Sequence, residues 1–211
     1  MTPADVQARL AHCYELDLPL AVDAVLTSDP ALARSLLPPG SRQPREQLLV
    51  RQDGEAVELA LFLDEDVLET LRRNDPRVRL GAANLAELAL LAEGVSHFVC
   101  LSWHGHHDRP VSALELELQA EVDVFVLATE LAGPGRGEAI VNALFERVRF
   151  SPDLDAEERS RYRTAHRLAA RYCLDLLRRH GDRLQQPAVR RRLRRFYRLD
   201  RAGKFAAIGG A

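Results

Sequence analysis

Residues 84–132, NLAELALLAEGVSHFVCLSWHGHHDRPVSALELELQAEVDVFVLATELA, decide how this chain folds. The first part, 84–104, is apolar on nearly every side, which in a globular protein predicts a helix buried over most of its circumference. GHHDRPV at 105–111 makes a tight connection, and Ser112 with Glu115 forms a capping-box pattern that opens a second long helix over about 111–132. A rival reading exists. Leu114, Leu116, Leu118, Ala120, Val122, Val124 and Val126 alternate with polar residues up to Asp123, which is the period of a strand. Leu, Glu, Gln and Ala dominate the segment and the run exceeds a mean strand, so the helix is preferred.

The flanks extend the helical pattern. Thr2-Pro3 and Asp29-Pro30 signal helices near 3–15 and 30–37, the latter stopped by Pro38-Pro39-Gly40. A short helix is expected near 65–73, another near 138–148, a long one over about 156–180 capped by Asp155 and Glu158, and a last one over about 187–202 starting at Pro187. Residues 46–63, EQLLVRQDGEAVELALFL, are the one β signal, a hairpin of roughly 47–52 and 55–63 around Asp53-Gly54. The fold expected is mainly α within an α+β class. A small N-terminal part, 1–80, carries the hairpin, and a bundle of five to six helices over 81–211 packs with it as one compact unit.

Composition narrows the class. The chain has 211 residues, 46% hydrophobic and 28% charged, which fits a globular protein and excludes a disordered tail protein, a collagen or a porin. There is no uninterrupted apolar run of about 18 residues, so no transmembrane segment is expected. MTPADVQARL lacks a basic and apolar leader, which points to the cytoplasm. Cys13, Cys100 and Cys173 form no CxxC pair, so neither a disulfide framework nor a zinc ribbon is encoded. Arginine is used 28 times and lysine once, at Lys204, a bias read as that of a GC-rich bacterial genome.

Charge is polarised. Residues 1–135 carry 10 basic and 22 acidic side chains, whereas 136–211 carry 19 and 9. The C-terminal helix gathers Arg190, Arg191, Arg194, Arg195, Arg198 and Arg201 around an apolar side of Val189, Leu193, Phe196 and Tyr197. Such a basic amphipathic helix engages an acidic protein surface, in another protein or through self-association, and its alternatives are nucleic acid and an anionic membrane. The leading expectation is therefore a non-enzymatic interaction or regulatory protein.

The second expectation is a metal-dependent or acid/base enzyme, and the third a nucleic-acid-binding accessory protein. At about 100° per residue, Glu93, His97, Cys100 and His104 share one polar stripe of the first long helix, and Glu117 and Glu121 share one on the next. An antiparallel pair centred near His107 sets His97 level with Glu117 and Glu93 level with Glu121. Carboxylates and an imidazole between helices form the donor set of a divalent metal, with His166 as a further ligand from a third helix; without a metal they form a structural network. Carboxylates in such an interface need a cation, Arg163 or Arg167, or a raised pKa. The histidine-rich loop at 104–108 is a weaker metal candidate, and Gly133-Pro134-Gly135-Arg136-Gly137 reads as helix punctuation rather than a phosphate cradle. No nucleophile elbow, P-loop or HExxH motif is present.

Overall fold

The computed structural model describes residues 1–37, 40–54, 56–146 and 153–210. It is mostly helical with a small mixed sheet of three strands. Nine α-helices occur among the described residues: α1 (Pro3–Tyr14), α2 (Pro30–Ser35), α3 (Glu65–Arg73), α4 (Leu85–His106), α5 (Ala113–Ala132), α6 (Gly137–Val141), α7 (Ala156–His180), α8 (Pro187–Arg198) and α9 (Arg201–Gly209). Five of them have twelve residues or more, and one of these, α1, lies outside the 81–211 stretch expected to form the bundle, so the count of five to six helices is matched only roughly.

Caps set the boundaries. Thr2 with Asp5, Ser112 with Glu115 and Asp155 with Glu158 each close a reciprocal capping box, satisfying backbone N–H groups that α1, α5 and α7 would otherwise leave unpaired. The segment 113–126 is helix, as preferred over strand. Three boundaries differ from the sequence reading. The tail helix expected over 187–202 breaks at Leu199, and Asp200 caps a separate α9 by accepting from the Gly203 N–H. The helix expected near 138–148 is α6 followed by a π-helical turn at Asn142–Glu146, and residues 147 and 148 lie outside the described residues, as do Pro38 and Pro39. A third strand, β1 (Leu26–Thr27), is too short to show any periodicity.

Strands β2 (Glu46–Asp53) and β3 (Ala56–Leu63) pair antiparallel, with β1 running parallel on the far side of β3. Asp53 pairs with Ala56, so Asp53 belongs to the strand rather than to the turn expected around Asp53-Gly54. Gly54, at φ 60°, supplies the positive φ a two-residue hairpin loop needs. One face of the sheet packs Leu61 and Leu63 into the main core; on the other, Leu49 and Phe62 meet Ala33 of α2.

Helix α4 is the axis. It packs against α5, α1, α3 and the sheet, and buries Leu88, Leu91, Val95, Phe98 and Val99 completely. By length and composition α4 is apolar enough to cross a membrane; 56% of its most apolar window is buried inside the fold. Helix α7 covers the other side of α5, and α8 closes onto α1 through stacked Tyr14 and Tyr197 rings 4.4 Å apart.

Candidate functional site

The antiparallel α4–α5 pair sets His97 against Glu117, with Nε2 3.4 Å from Oε2 but without hydrogen-bond alignment. On its other edge, His97 Nδ1 lies 3.8 Å from Glu46 Oε1 at the start of β2. Glu93 stands one turn earlier on the same stripe of α4. One ligand atom from each of Glu46, Glu93 and His97 falls within 4.8 Å of the other two. Arg161 of α7 brings its Nε to 3.8 Å from Glu117 Oε1.

Gly94 makes the strand's approach possible. A Cβ there would stand 2.8 Å from Glu46 Cγ and 2.9 Å from Glu46 Oε1, closer than real Cβ atoms come. The absent side chain at 94 is therefore the space that the Glu46 carboxylate occupies.

Three carboxylates meet one imidazole and one guanidinium, so negative charge is in excess. Burial first, and then the Glu46 carboxylate, push Glu93 from 4.5 up to about 8. Burial works against a charged His97, but Glu117 and Glu46 outweigh it and hold His97 well above the usual histidine range. Three buried polar atoms within the cluster, Glu46 Oε1, His97 Nε2 and Arg161 Nε, have no hydrogen-bond partner among the described residues. Such atoms are costly unless something else satisfies them.

Several expectations are redistributed. Glu121 is near enough to act electrostatically on Glu93, but its carboxylate pairs with His166 Nδ1 at 3.0 Å, and His166 Nε2 is 3.2 Å from the Phe145 carbonyl. The Glu121 carboxylate raises His166 in turn. Arg163 and Arg167 are exposed, and the balancing guanidinium is Arg161, two residues before Arg163, a step that turns the helix face by about 200°. Glu46 is absent from the sequence reading because no local spacing links a strand's first residue to a helix 47 positions later.

Cys100 and His104, on the same sequence stripe, belong to a different environment. His104 is buried and burial holds it below the usual histidine range, while burial pushes Cys100 up to about 12. His106 and His107 are exposed, and among the described residues no metal-ligand group includes the loop histidines. Nearby, Asp123 is fully enclosed and accepts from Tyr14 Oη, Ser96 Oγ at 2.6 Å and Gln119 Nε2 at 2.9 Å. Gln119 Oε1 in turn accepts from Lys204 Nζ at 2.6 Å. Lys204 is the residue the sequence reading missed despite a signal: the single lysine beside 28 arginines.

The arginine tail lies on its own body. Arg190 is buried, bonded to Glu130 at 2.5 Å and to Gln185 at 2.6 Å, which removes it from any external surface. Arg194 pairs with Glu15 at 2.6 Å, and Arg198 donates to the Glu15 carbonyl at 3.0 Å. Arg191, Arg195 and Arg201 remain exposed. In the glycine loop, the N–H groups of Gly135 and Arg136 donate to the Asp182 carboxylate, so the chain's own acid takes the place of an outside anion.

No protein-family model, curated protein or solved structure matches the chain. The chemistry of the side chains carries the functional reading.

Proposed function

We propose that this protein holds one divalent transition-metal ion between α4, α5 and β2, with Glu46, Glu93 and His97 Nδ1 as ligands. The observation that carries the reading is the convergence of those three donors within 4.8 Å, with buried Glu46 Oε1 and His97 Nε2 unpartnered beside them. Glu117, against His97 Nε2 and braced by Arg161, serves as the outer carboxylate that fixes the ring's tautomer and orientation, as metal-bound histidines require. Two carboxylates and an imidazole suit Mn²⁺, Fe²⁺ or Zn²⁺ better than a hard alkaline-earth ion. A bound cation supplies Lewis acidity and offsets the excess negative charge.

Elemental analysis of protein purified without a histidine tag, followed by Mn²⁺ and Zn²⁺ titration calorimetry, tests this. The expected result is one ion per chain, lost in His97→Ala and weakened by about 10–100-fold in Glu117→Gln. Protein that retains no metal and takes up neither ion overturns the reading and leaves a structural network.

A second reading rests on exposed Arg191, Arg195 and Arg201, a cationic face that fits an acidic protein partner and, failing that, nucleic acid. Replacing all three by Ala should abolish partner association in light scattering. A salt-sensitive gel shift would instead assign the face to nucleic acid, and neither effect would make it a solvated surface.

A further inference from the structure

Alongside the cluster, a cavity of about 730 Å³ runs between α4 and α6, and its volume lies within the range of small-molecule sites. Its walls are apolar and mix alanines with larger side chains, Ala86, Ala89 and Leu90 of α4 facing Ala139, Ile140 and Leu144. Among the described residues, Arg136 and Glu93 are the two ionisable ones that line it.

The helix register separates those two. Antiparallel packing that sets His97 level with Glu117 also sets Ala132, just before Arg136, level with the start of α4. Glu93 lies about 10 Å further along the helix from Ala86 at 1.5 Å per residue. The cavity is therefore a trough with a cation at one end and a carboxyl at the other. Arg136 is exposed and makes no ion pair among the described residues. Its backbone N–H is bonded to Asp182, which fixes the loop that carries it.

We infer that this trough binds a linear amphiphile with a single anionic head, of the medium-chain fatty-acid type. The head pairs with Arg136, and the chain lies over the alanines toward Glu93. Arg136 is the one cation among the described lining residues, so pairing with it fixes the direction as well as the ligand class. The apolar walls take the hydrocarbon chain, and the exposed guanidinium at the rim takes the head. The inference goes beyond the metal reading and stands without it.

The test is calorimetric titration of chelator-treated full-length protein with decanoate, decanol and decylamine, so that a failed metal site and a failed trough are separate results. Decanoate is expected to bind tightest and decylamine weakest. Arg136→Glu, at an exposed position that leaves the core untouched, should weaken decanoate by about fivefold, the size of a part-exposed ion pair, and strengthen decylamine. Ala89→Phe should lose decanoate and decanol together by filling the trough. Failure of decanoate to bind, binding of decylamine as tight as that of decanoate, or equal decanoate affinity in the wild type and Arg136→Glu overturns the inference.

Discussion

Ser96 and His97 are neighbours in sequence, about 100° apart around α4, and they enter two buried polar clusters of opposite character. Ser96 joins the Asp123 network, where Tyr14, Gln119 and Lys204 complete a chain of donors and acceptors and the Lys204 ammonium rests 4.6 Å from the Phe196 ring centre. His97 joins Glu46, Glu93 and Glu117, where charge is in excess and three buried polar atoms lack partners. Both are largely shielded from water, the Asp123 network more deeply, with Asp123 1% and Lys204 2% exposed against 12% for the His97 side chain. What differs is whether the chain supplies its own counter-groups, and that difference separates a device that holds helices together from a place prepared for a ligand.

The largest effect should come from breaking the balanced side. Asp123→Ala strips the acceptor from Tyr14, Ser96 and Gln119 and removes one of the two carboxylates that act on Lys204, leaving Glu115. A loss of about 3–5 kcal/mol is expected in urea denaturation. Glu93→Gln on the other side should leave the metal-free protein as stable as before or more so, because it removes a carboxyl that burial and Glu46 both oppose. Equal losses from the two variants would erase the distinction between the clusters.

The same contrast should appear against pH. Glu93 is raised from 4.5 to about 8, so the folded chain binds its proton more tightly than the unfolded chain does. Stability from this group is full below about pH 4.5 and declines as pH rises through 8. Asp123, raised from 3.8 to about 6 chiefly by burial, declines in the same direction but completes its change earlier. Between pH 6 and 8, His97, held well above its ordinary 6.5, adds to the decline. Denaturation midpoints of metal-free protein over that window should fall with pH and fall less steeply in Glu93→Gln. If metal binding releases the Glu93 proton, affinity should also weaken as pH drops below 8.

The two clusters were unequally legible because the signals that build them differ. In ALELELQAEVD the polar residues recur every second position, which reads as a strand until the helix divides them. Glu117 and Glu121 then point to the cluster side, and Glu115, Gln119 and Asp123, also four apart, point to the Lys204 side. Helical spacing therefore reached Glu93, His97 and Glu117. It did not reach Glu46, whose approach depends on the hairpin's docking and on a missing Cβ at Gly94. Nor does it reach Lys204, which lies beyond the single helix that the tail's periodicity predicts over about 187–202. The Asp200 cap that breaks that helix was present in the sequence, but the arginine run obscured it. The long helices are legible because capping pairs mark the starts of α5 and α7 and α4 is apolar on most sides, whereas β1 pairs through only two residues.

Gly94→Ala sharpens the comparison without touching a charge. The added methyl group must displace Glu46, while the helix gains from exchanging Gly for Ala by about 1 kcal/mol. That gain offsets most of the overpacking cost, so the melting temperature should move little. Metal affinity should fall by about tenfold, the low end of what misplacing a ligand's surroundings costs. A variant with native affinity would show that Glu46 is not a ligand.

The smallest effect should come from a charged pair outside both clusters. Arg194 and Glu15 lie 2.6 Å apart with side chains 26% and 65% exposed, so water screens their attraction and removing it costs little. Arg194 also donates its Nε to the Cys13 carbonyl at 3.0 Å, a contact that ties α8 to the end of α1. Arg194→Ala should therefore destabilise by under about 1 kcal/mol, and the loss should shrink at high salt only by the part due to the ion pair. A Glu15→Ala variant isolates that part, since it leaves the Cys13 hydrogen bond in place. If Glu15→Ala costs as much as Asp123→Ala, exposed pairing holds this tail as firmly as the buried network, and Lys204 is not the anchor of the C-terminal helices.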